Sequence, residues 1–419
     1  MAEVAPTPAP VPGLHVLLAG GGSGGHVFPA LAVASALSRR GGRATFVGSP
    51  TGFEATLVPE RGIPFHALPA RPVLGRGPID KARAALTLVA SSWRARRLAR
   101  ELEPDAVLGT GGYASAAPVL GGRFAGRPIV LLEPNAEPGA ANRLLSRLAA
   151  GACVAFEETG ETLSCETWLT GVPVRDELFA ASPTLPAGNE LRVLVLGGSQ
   201  GSRQLNELVP PAMVHLPLPP GLTLRIVHQC GKAHVEATRA AWEALGPTDL
   251  ALGDRVDVVP FVDDVPAALA ASHLVISRAG AITLAELCAA GRPSVLVPLS
   301  IAAGHQLGNA EALERAGAAR VLAGEAATPE RLAALLAELV AGDPPAGAAT
   351  GGTPAEPGAP FAALQQMADA ARRLARPGAA DAIVDRLAEV AGRSGSSGTF
   401  PGLTAGLTAG TTGGTEERP

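Results

Sequence analysis

The stretch Leu14-His-Val-Leu-Leu-Ala-Gly20-Gly-Gly-Ser-Gly-Gly25-His-Val-Phe-Pro-Ala-Leu31 sets an apolar run against a glycine cluster and follows it with a helical repeat. Leu14 to Ala19 reads as a buried strand. Val27, Leu31, Ala34 and Leu37 form one face of a helix that Gly41 and Gly42 stop. Strand, glycine turn and helix in that order are the first unit of a parallel sheet covered by helices. The pattern continues in the apolar runs Arg43 to Val47, Ala106 to Leu108, Ile129 to Leu132 and Ala152 to Phe156. It restarts at Leu191-Arg-Val-Leu-Val-Leu196, followed by Gly197-Gly-Ser-Gln-Gly201, with later runs at Leu224 to Val227, Val256 to Val259, Leu274 to Ile276 and Ser294 to Val297. The fold class is therefore α/β, with two Rossmann-like domains, 14–180 and 181–342, facing across a cleft and joined by a linker at Ala180 to Glu190. The segment 361–392 is again helical and must dock somewhere. Residues 1–13, 343–360 and 393–419 are rich in Pro, Gly, Ala and Thr and are expected to lack order.

At 419 residues the chain exceeds one core, and 47% hydrophobic against 17% charged residues excludes wholesale disorder. A net charge of -4 offers no overall attraction to nucleic acid. Cys153, Cys165, Cys230 and Cys288 include no Cys-x-x-Cys pair, so neither a thiolate metal site nor a disulfide framework is signalled. The N-terminus lacks a basic region and a hydrophobic core of signal-peptide length, and no apolar run reaches the roughly 20 residues of a membrane span. A cytoplasmic protein whose membrane contact is peripheral follows from these features.

Three glycine loops can carry chemistry. Gly20-Gly21-Gly22-Ser23-Gly24-Gly25 satisfies the dinucleotide fingerprint, yet the second strand ends in Gly48-Ser49 where that fingerprint wants an acid, which disfavours a nicotinamide or flavin site. The glycines let a ligand approach the backbone at a helix start, and they equally suit a plain tight turn. His26 follows them and could accept a proton near neutrality, or be a histidine satisfied by backbone. Gly109-Thr110-Gly111-Gly112-Tyr113 and Gly197 to Gly201 repeat the strand-to-helix pattern. In Gly280-Ala281-Ile282-Thr283-Leu284-Ala285-Glu286, Thr283 and Glu286 have capping-box spacing, while a first-turn carboxylate could instead hold ribose hydroxyls. His305, Gln306 and Asn309 span one helical turn, so Gln306 and Asn309 can share a face and bond vicinal hydroxyls, or be solvated surface. From Arg71 to Arg100 run seven arginines and Lys81 against the single acid Asp80, with Leu86, Leu88, Val89 and Trp93 interleaved. That pattern suits an anionic membrane surface or an ordinary packed helix.

Taken in order, Gly21-Gly-Ser-Gly-Gly-His-Val-Phe-Pro-Ala-Leu31, Gly111-Gly-Tyr113, Glu133-Pro-Asn135, Gly171-Val-Pro-Val-Arg175, Gly197-Gly-Ser-Gln-Gly-Ser202, Phe261-Val-Asp-Asp264, Arg278-Ala-Gly-Ala-Ile-Thr283 and His305-Gln-x-x-Asn309 resemble the loops of the MurG family of glycosyltransferases. The resemblance covers 14–342 and 361–390. It implies a GT-B fold with final helices returning to the N-terminal half. It also implies inverting transfer of N-acetylglucosamine from UDP-N-acetylglucosamine to an undecaprenyl-pyrophosphoryl-muramoyl pentapeptide on the cytoplasmic side of the membrane, with no metal and no cofactor. Carried over, Ser199 matches the diphosphate contact, Val262 the uracil contact, Glu286 the ribose contact and Arg175 a donor-site residue. Asn135, Gln306 and Ala281, Ile282, Thr283, Leu284 and Ala285 match positions around the sugar and diphosphate. Ser23, Gly24 and Gly25 match the loop facing both substrates, Gly111, Gly112, Tyr113 and Asn309 fall on the acceptor side, and His26 is the candidate base. Pro134 departs from the polar residue usual at its position. A GT-B transferase with another acceptor shares the donor loops, and a catalytically silent sugar-nucleotide-binding subunit would keep Ser199 and Glu286 but could lose the acceptor loop, which is intact here.

Overall fold

β1 (His15–Ala19) is buried along its whole length, as a strand must be when helices cover both faces of its sheet. The computed structural model describes residues 8–71, 77–245, 254–299, 305–341 and 361–392. Around β1 lie β2 (Arg43–Gly48), β3 (Phe65–Ala67), β4 (Ala106–Gly109), β5 (Ile129–Glu133), β6 (Gly151–Val154) and β7 (Glu166–Leu169), parallel and in the order β3-β2-β1-β4-β5-β6-β7. The second sheet holds β8 (Glu190–Leu196), β9 (Thr223–Gln229), β10 (Val256–Val259), β11 (Leu274–Ser277), β12 (Ser294–Leu296) and β13 (Ala319–Val321), again parallel, in the order β10-β9-β8-β11-β12-β13. Both sheets reverse strand order beside their first strand, β1 against β4 and β8 against β11, and such a switch point opens a crevice at the carboxyl ends of the strands. The expected α/β class with two Rossmann-like sheets holds. β3, β7 and β13 were not legible as apolar runs because they are short and lie at the sheet edges, where Phe-His-Ala, Glu-Thr-Trp-Leu and Ala-Arg-Val need little burial.

The helices in chain order are α1 (Gly24–Arg39), α2 (Glu54–Glu60), α3 (Pro78–Leu102), α4 (Ala116–Phe124), α5 (Ala140–Leu145), α6 (Glu177–Ala180), α7 (Arg203–Val214), α8 (Val235–Glu243), α9 (Val265–Ala270), α10 (Ala281–Ala290), α11 (His305–Arg315), α12 (Pro329–Ala341), α13 (Ala362–Leu374) and α14 (Ala379–Val390). Three boundaries differ from the sequence reading. Residues 8–13 are docked: Val11 is buried in the first core and its N–H donates to the Arg40 carbonyl at 2.8 Å. The chain passes between domains at 170–176, ahead of the expected linker, because the single turn α6 buries Leu178 with Leu284 and Leu287 of α10 in the second core. The final helices also part company. Leu364 and Met367 of α13 complete the second core, and only α14 returns, adding Ile383, Val384 and Leu387 to the first. There Arg40, at the end of α1, pairs with Asp385 and donates to the Asp381 carbonyl at 2.9 Å. The expected unordered stretches 343–360 and 393–419 lie outside the described residues, as do 1–7 and Arg76.

α3 is turned inside out for a helix of a water-surrounded domain. Its buried side is made of small residues, Ala84, Ser91, Ser92, Ala95 and Ala99. Gly121 lets α4 approach so closely that a Cβ there would lie 2.4 Å from Ala95 Cβ. The large apolar side chains Ile79, Leu86, Val89 and Trp93 point outward, 57 to 71% exposed, with the Arg96 guanidinium 5.2 Å over the Trp93 ring. Among the described residues no helix is long and apolar enough to cross a membrane.

Candidate active site

The two switch points supply the loops of the site. In the first domain the β1–α1 loop meets the β4–α4 loop, and Thr110 ties them together. Its Oγ1 donates to the His26 carbonyl at 2.8 Å, and its own carbonyl accepts from His26 Nδ1 at 2.8 Å. A carbonyl only accepts, so Nδ1 carries the proton and Nε2 keeps the free lone pair. The backbone-satisfied histidine and the candidate base are thus the same arrangement. The ring lies against Gly111 and Gly112, where φ values of 88° and 76° and added Cβ atoms 3.1 Å from Cε1 and 2.9 Å from Cδ2 leave room only for glycine. Burial lowers the His26 pKa, opposed by its bond to the Thr110 carbonyl and the charge of Glu133, and aided by His305. Tyr113 lies over the first loop, its ring 2.8 Å from where a Gly22 Cβ would stand. Ser23 is exposed at the turn, with Gly24 and Gly25 half-buried behind it.

Two buried carboxylates organise these loops: Glu54, which carries no sequence signal, and Glu133, which stands in the Glu133-Pro-Asn135 motif. Glu54 is fully buried and accepts the N–H groups of Gly22 at 3.3 Å and Ser49 at 3.1 Å. Gly21, Gly48 and Gly52 all abut its side chain. The Gly22 amide is therefore already taken, while the start of α1 after Ser23 has no side-chain cap. An acid does stand near the end of β2, but it is buried and spent on amides, out of reach of a ribose. Glu133, at the end of β5, accepts from the Asn135 N–H at 3.1 Å and from Asn135 Nδ2, Gly139 N and Asn142 Nδ2 at 2.9 Å each.

In the second domain the β8–α7 loop exposes Ser199. Gln229 holds it from beneath, accepting from Gly197 N at 2.9 Å and donating to the Gly198 carbonyl at 3.0 Å. Gly201 is obligatory: its φ is 78° and a Cβ would come within 1.9 Å of the Cys230 carbonyl oxygen. Across the switch point α10 begins at Ala281 after Gly280, with no side-chain cap, so the first-turn amides of Ala281, Ile282 and Thr283 have no intrahelical acceptor. The capping box does not form. Thr283 lies inside the first turn and Glu286 in the second, its carboxylate 3.1 Å from Arg175 Nη2. Burial pushes the Glu286 pKa up against the downward pull of Arg175. Leu284 is buried, Ala285 half-buried, and Val262 packs partly buried beside them. Arg278, just after β11, has its Nε buried and unpartnered and its pKa lowered by desolvation. Among the described residues no carboxylate pairs with it.

The carboxyl edges of the two sheets face each other, because α11 reaches the β5–α5 loop. His305 Nδ1 donates to the Glu137 carbonyl at 2.7 Å. Asn309 is fully buried and bonded to Asn135, Ala136 and Ala279, so it does not present its amide to hydroxyls as its spacing from Gln306 suggested. Gln306 lies half-buried at the start of α11, accepting from Leu299 N at 3.2 Å. Ser199, Glu286, Arg175, Arg278 and the α10 amides thus gather on one side, and His26, Gly111, Gly112 and Tyr113 on the other.

Residues 16–154 match the glycosyltransferase family 28 N-terminal domain and 192–355 the glycosyltransferase family 28 C-terminal domain. The chain is 41% identical over 378 residues to the UDP-N-acetylglucosamine–N-acetylmuramyl-(pentapeptide) pyrophosphoryl-undecaprenol N-acetylglucosamine transferase of Ectopseudomonas mendocina, covering 90% of this chain and 98% of that one. It is 45% identical over 332 residues to the transferase of the same name from Sorangium cellulosum, covering 78% and 80%. The crystal structure of Acinetobacter baumannii MurG superposes with a TM-score of 0.71 at 33% identity, covering 90% and 99%.

Proposed function

This chain belongs to glycosyltransferase family 28, among its MurG transferases, and from that premise we propose that it moves N-acetylglucosamine from UDP onto the muramoyl C4 hydroxyl of undecaprenyl-pyrophosphoryl-N-acetylmuramyl pentapeptide, a step of peptidoglycan synthesis. The observation that carries the reading is the pairing across one cleft of a histidine whose Nε2 lone pair is fixed with an uncapped helix start beside an unpaired arginine. The acceptor hydroxyl oxygen forms the new bond to the anomeric carbon while its proton passes to His26 Nε2. The bond from that carbon to the diphosphate breaks with its electron pair going to UDP. A single displacement of this kind inverts the anomeric centre. The charge growing on the diphosphate is met by the amides of Ala281, Ile282 and Thr283, by the Ser199 loop and by Arg278, dipoles and a cation already in place before reaction. Gln306 and Asn135 border the sugar in this reading, and Val262 the uracil. Labelled UDP-N-acetylglucosamine with a short-chain analogue of the muramoyl-pyrophosphoryl lipid tests it. Disaccharide product is expected, and donor binding without transfer would defeat the acceptor assignment.

Glu286 holds the ribose hydroxyls, exchanging Arg175 for them as UDP enters. Glu286→Ala should weaken UDP binding roughly 10- to 100-fold, the scale of hydrogen bonds to a charged group. Unchanged UDP affinity by titration calorimetry would leave the carboxylate with Arg175 as its only duty.

The protein works at the membrane surface through α3. Outward Ile79, Leu86, Val89 and Trp93 have no protein partner to bury them, and Arg83, Arg94, Arg96, Arg97 and Arg100 on the same helix suit anionic head groups. Binding to phosphatidylglycerol vesicles should fall steeply with salt and be lost in Leu86→Glu/Trp93→Glu. Equal binding by that variant in a flotation assay would remove α3 as the contact. The lipid acceptor and the cytoplasmic face fit this placement.

A further inference from the structure

Asn309 offers an unusual amount of chemistry for a side chain with no exposed surface. Its Oδ1 accepts from the Ala136 N–H at 2.8 Å, and its Nδ2 donates to Asn135 Oδ1 at 3.0 Å and to the Ala279 carbonyl at 3.2 Å. Both amide hydrogens and the oxygen are used, and the partners belong to different domains. Ala279 immediately precedes the Gly280 start of the donor-side helix α10. Asn135 and Ala136 belong to the β5–α5 loop of the other domain, which Glu133 holds with four accepted bonds. One of those bonds comes from Asn142 Nδ2, which also donates to the Leu132 carbonyl at 3.0 Å. The same nitrogen lies 3.4 Å from the Cβ position of Gly111, the residue packed on the His26 ring. A chain of hydrogen bonds thus runs from Ala279, ahead of the donor helix, through Asn309, Asn135 and Glu133 to Asn142, which stands near Gly111, the neighbour of the His26 ring.

We propose that Asn309 and Asn135 form an interdomain clasp that brings the donor loop into register with the loop supporting His26, making Asn309 a positioning residue for transfer. The proposal rests on the transferase reading above. Its physical basis is that polar groups buried at an interface are tolerated only when paired. A small rotation of one domain would strip partners from the Asn309 amide, from Asn135 Oδ1, and from the Ala136 N–H together. The contact is therefore made or unmade as a unit, the behaviour expected of a two-state element. His305 bonded to Glu137, and Gly308 set close to the Glu137 side chain, flank the clasp. Arg315 and Glu158, 2.8 Å apart on the exposed rim, span the same domains without touching the network.

Asn309→Ala, Asn135→Ala, the double variant and the control Arg315→Ala separate a clasp from general damage. Each clasp variant should lower kcat roughly 10- to 100-fold, and the double variant should lose less than the sum of the singles, since the Asn309–Asn135 bond is common to both. UDP affinity without acceptor should stay within about threefold in Asn309→Ala, whose side chain is kept from the cleft by its three bonds, and Arg315→Ala should stay near wild type in both. Additive losses, wild-type kcat in either clasp variant, or an equal fall in UDP affinity in Asn309→Ala would overturn the proposal. Amide hydrogen exchange gives a readout independent of turnover. Residues 134–142 should exchange faster in Asn309→Ala while 197–202 do not, and unchanged protection of 134–142 would overturn the clasp even in an active enzyme. Absence of transfer in wild type would instead count against the acceptor assignment, with the exchange result still deciding the clasp.

Discussion

His26→Ala is expected to lower turnover by roughly 10² to 10⁴ while UDP binding holds, the span of a lost general base. The separation of the two effects follows from where the residue stands. His26 is fixed by Thr110 within the first domain, whereas Ser199, Glu286, Arg278 and the α10 amides all belong to the second. A lowered pKa keeps the imidazole unprotonated, and so able to accept the hydroxyl proton, to a pH below the ordinary value of 6.5. Activity should fall only as pH drops through that lowered value, and the variant's residual rate should lack this acidic limb. Glu133 and His305 are the charged groups acting on the ring from the β5 end and from α11, and they pull in opposite directions. Steady-state rates from pH 5 to 8 check both points. Wild-type turnover in the variant would strip His26 of the role.

His228 should make the second domain acid-sensitive. It is fully buried in β9 against α7 and α8, donating from Nε2 to Asn206 Oδ1 at 3.1 Å and accepting at Nδ1 from Trp242 Nε1 at 3.3 Å. Protonating Nδ1 would set it against the indole N–H as a second donor, inside the core. Burial accordingly takes the pKa down to about 4. The unfolded chain takes up a proton near 6.5 while the folded one refuses it until about 4. Stability is therefore full above pH 6.5 and falls between those values, by roughly 3 kcal/mol at one 1.36 kcal/mol step per unit. Urea unfolding at pH 7 and pH 4.5 should show the loss, and His228→Gln, which cannot take up the proton, should lose less over the same interval. Parallel losses in both proteins would place the acid sensitivity elsewhere.

How far the sequence could be read depended on whether a property is local. The glycine loops were legible because a strand, a turn and a helix are adjacent in the chain, and His26 followed from its place beside them. The roles of Glu54 and of Glu133, the latter part of a motif, were not. Each earns its role by accepting amides from loops brought to it only by the sheet order, and no periodicity encodes a buried carboxylate. The spacing of Thr283 and Glu286 pointed to a cap that does not form because the helix starts before Thr283, at Ala281. Asn309 read as a surface hydroxyl binder since its burial depends on a second domain. The apolar faces of 361–392 announced that these helices must pack, but not that α13 and α14 serve different cores.

That division bears on how the molecule is made. The first domain to leave the ribosome contains β1 through β7, yet Ile383, Val384 and Leu387 of its core are translated after the whole of the second domain. Until α14 arrives, the groove on α1 stands open and Arg40 lacks its Asp385 partner. Synthesis order and completion order are reversed: the second domain can close behind its own sheet and α13, and the first is sealed last, when the nascent chain folds back upon its beginning. A chain truncated before α14 would thus carry a finished second domain joined to an unfinished first one.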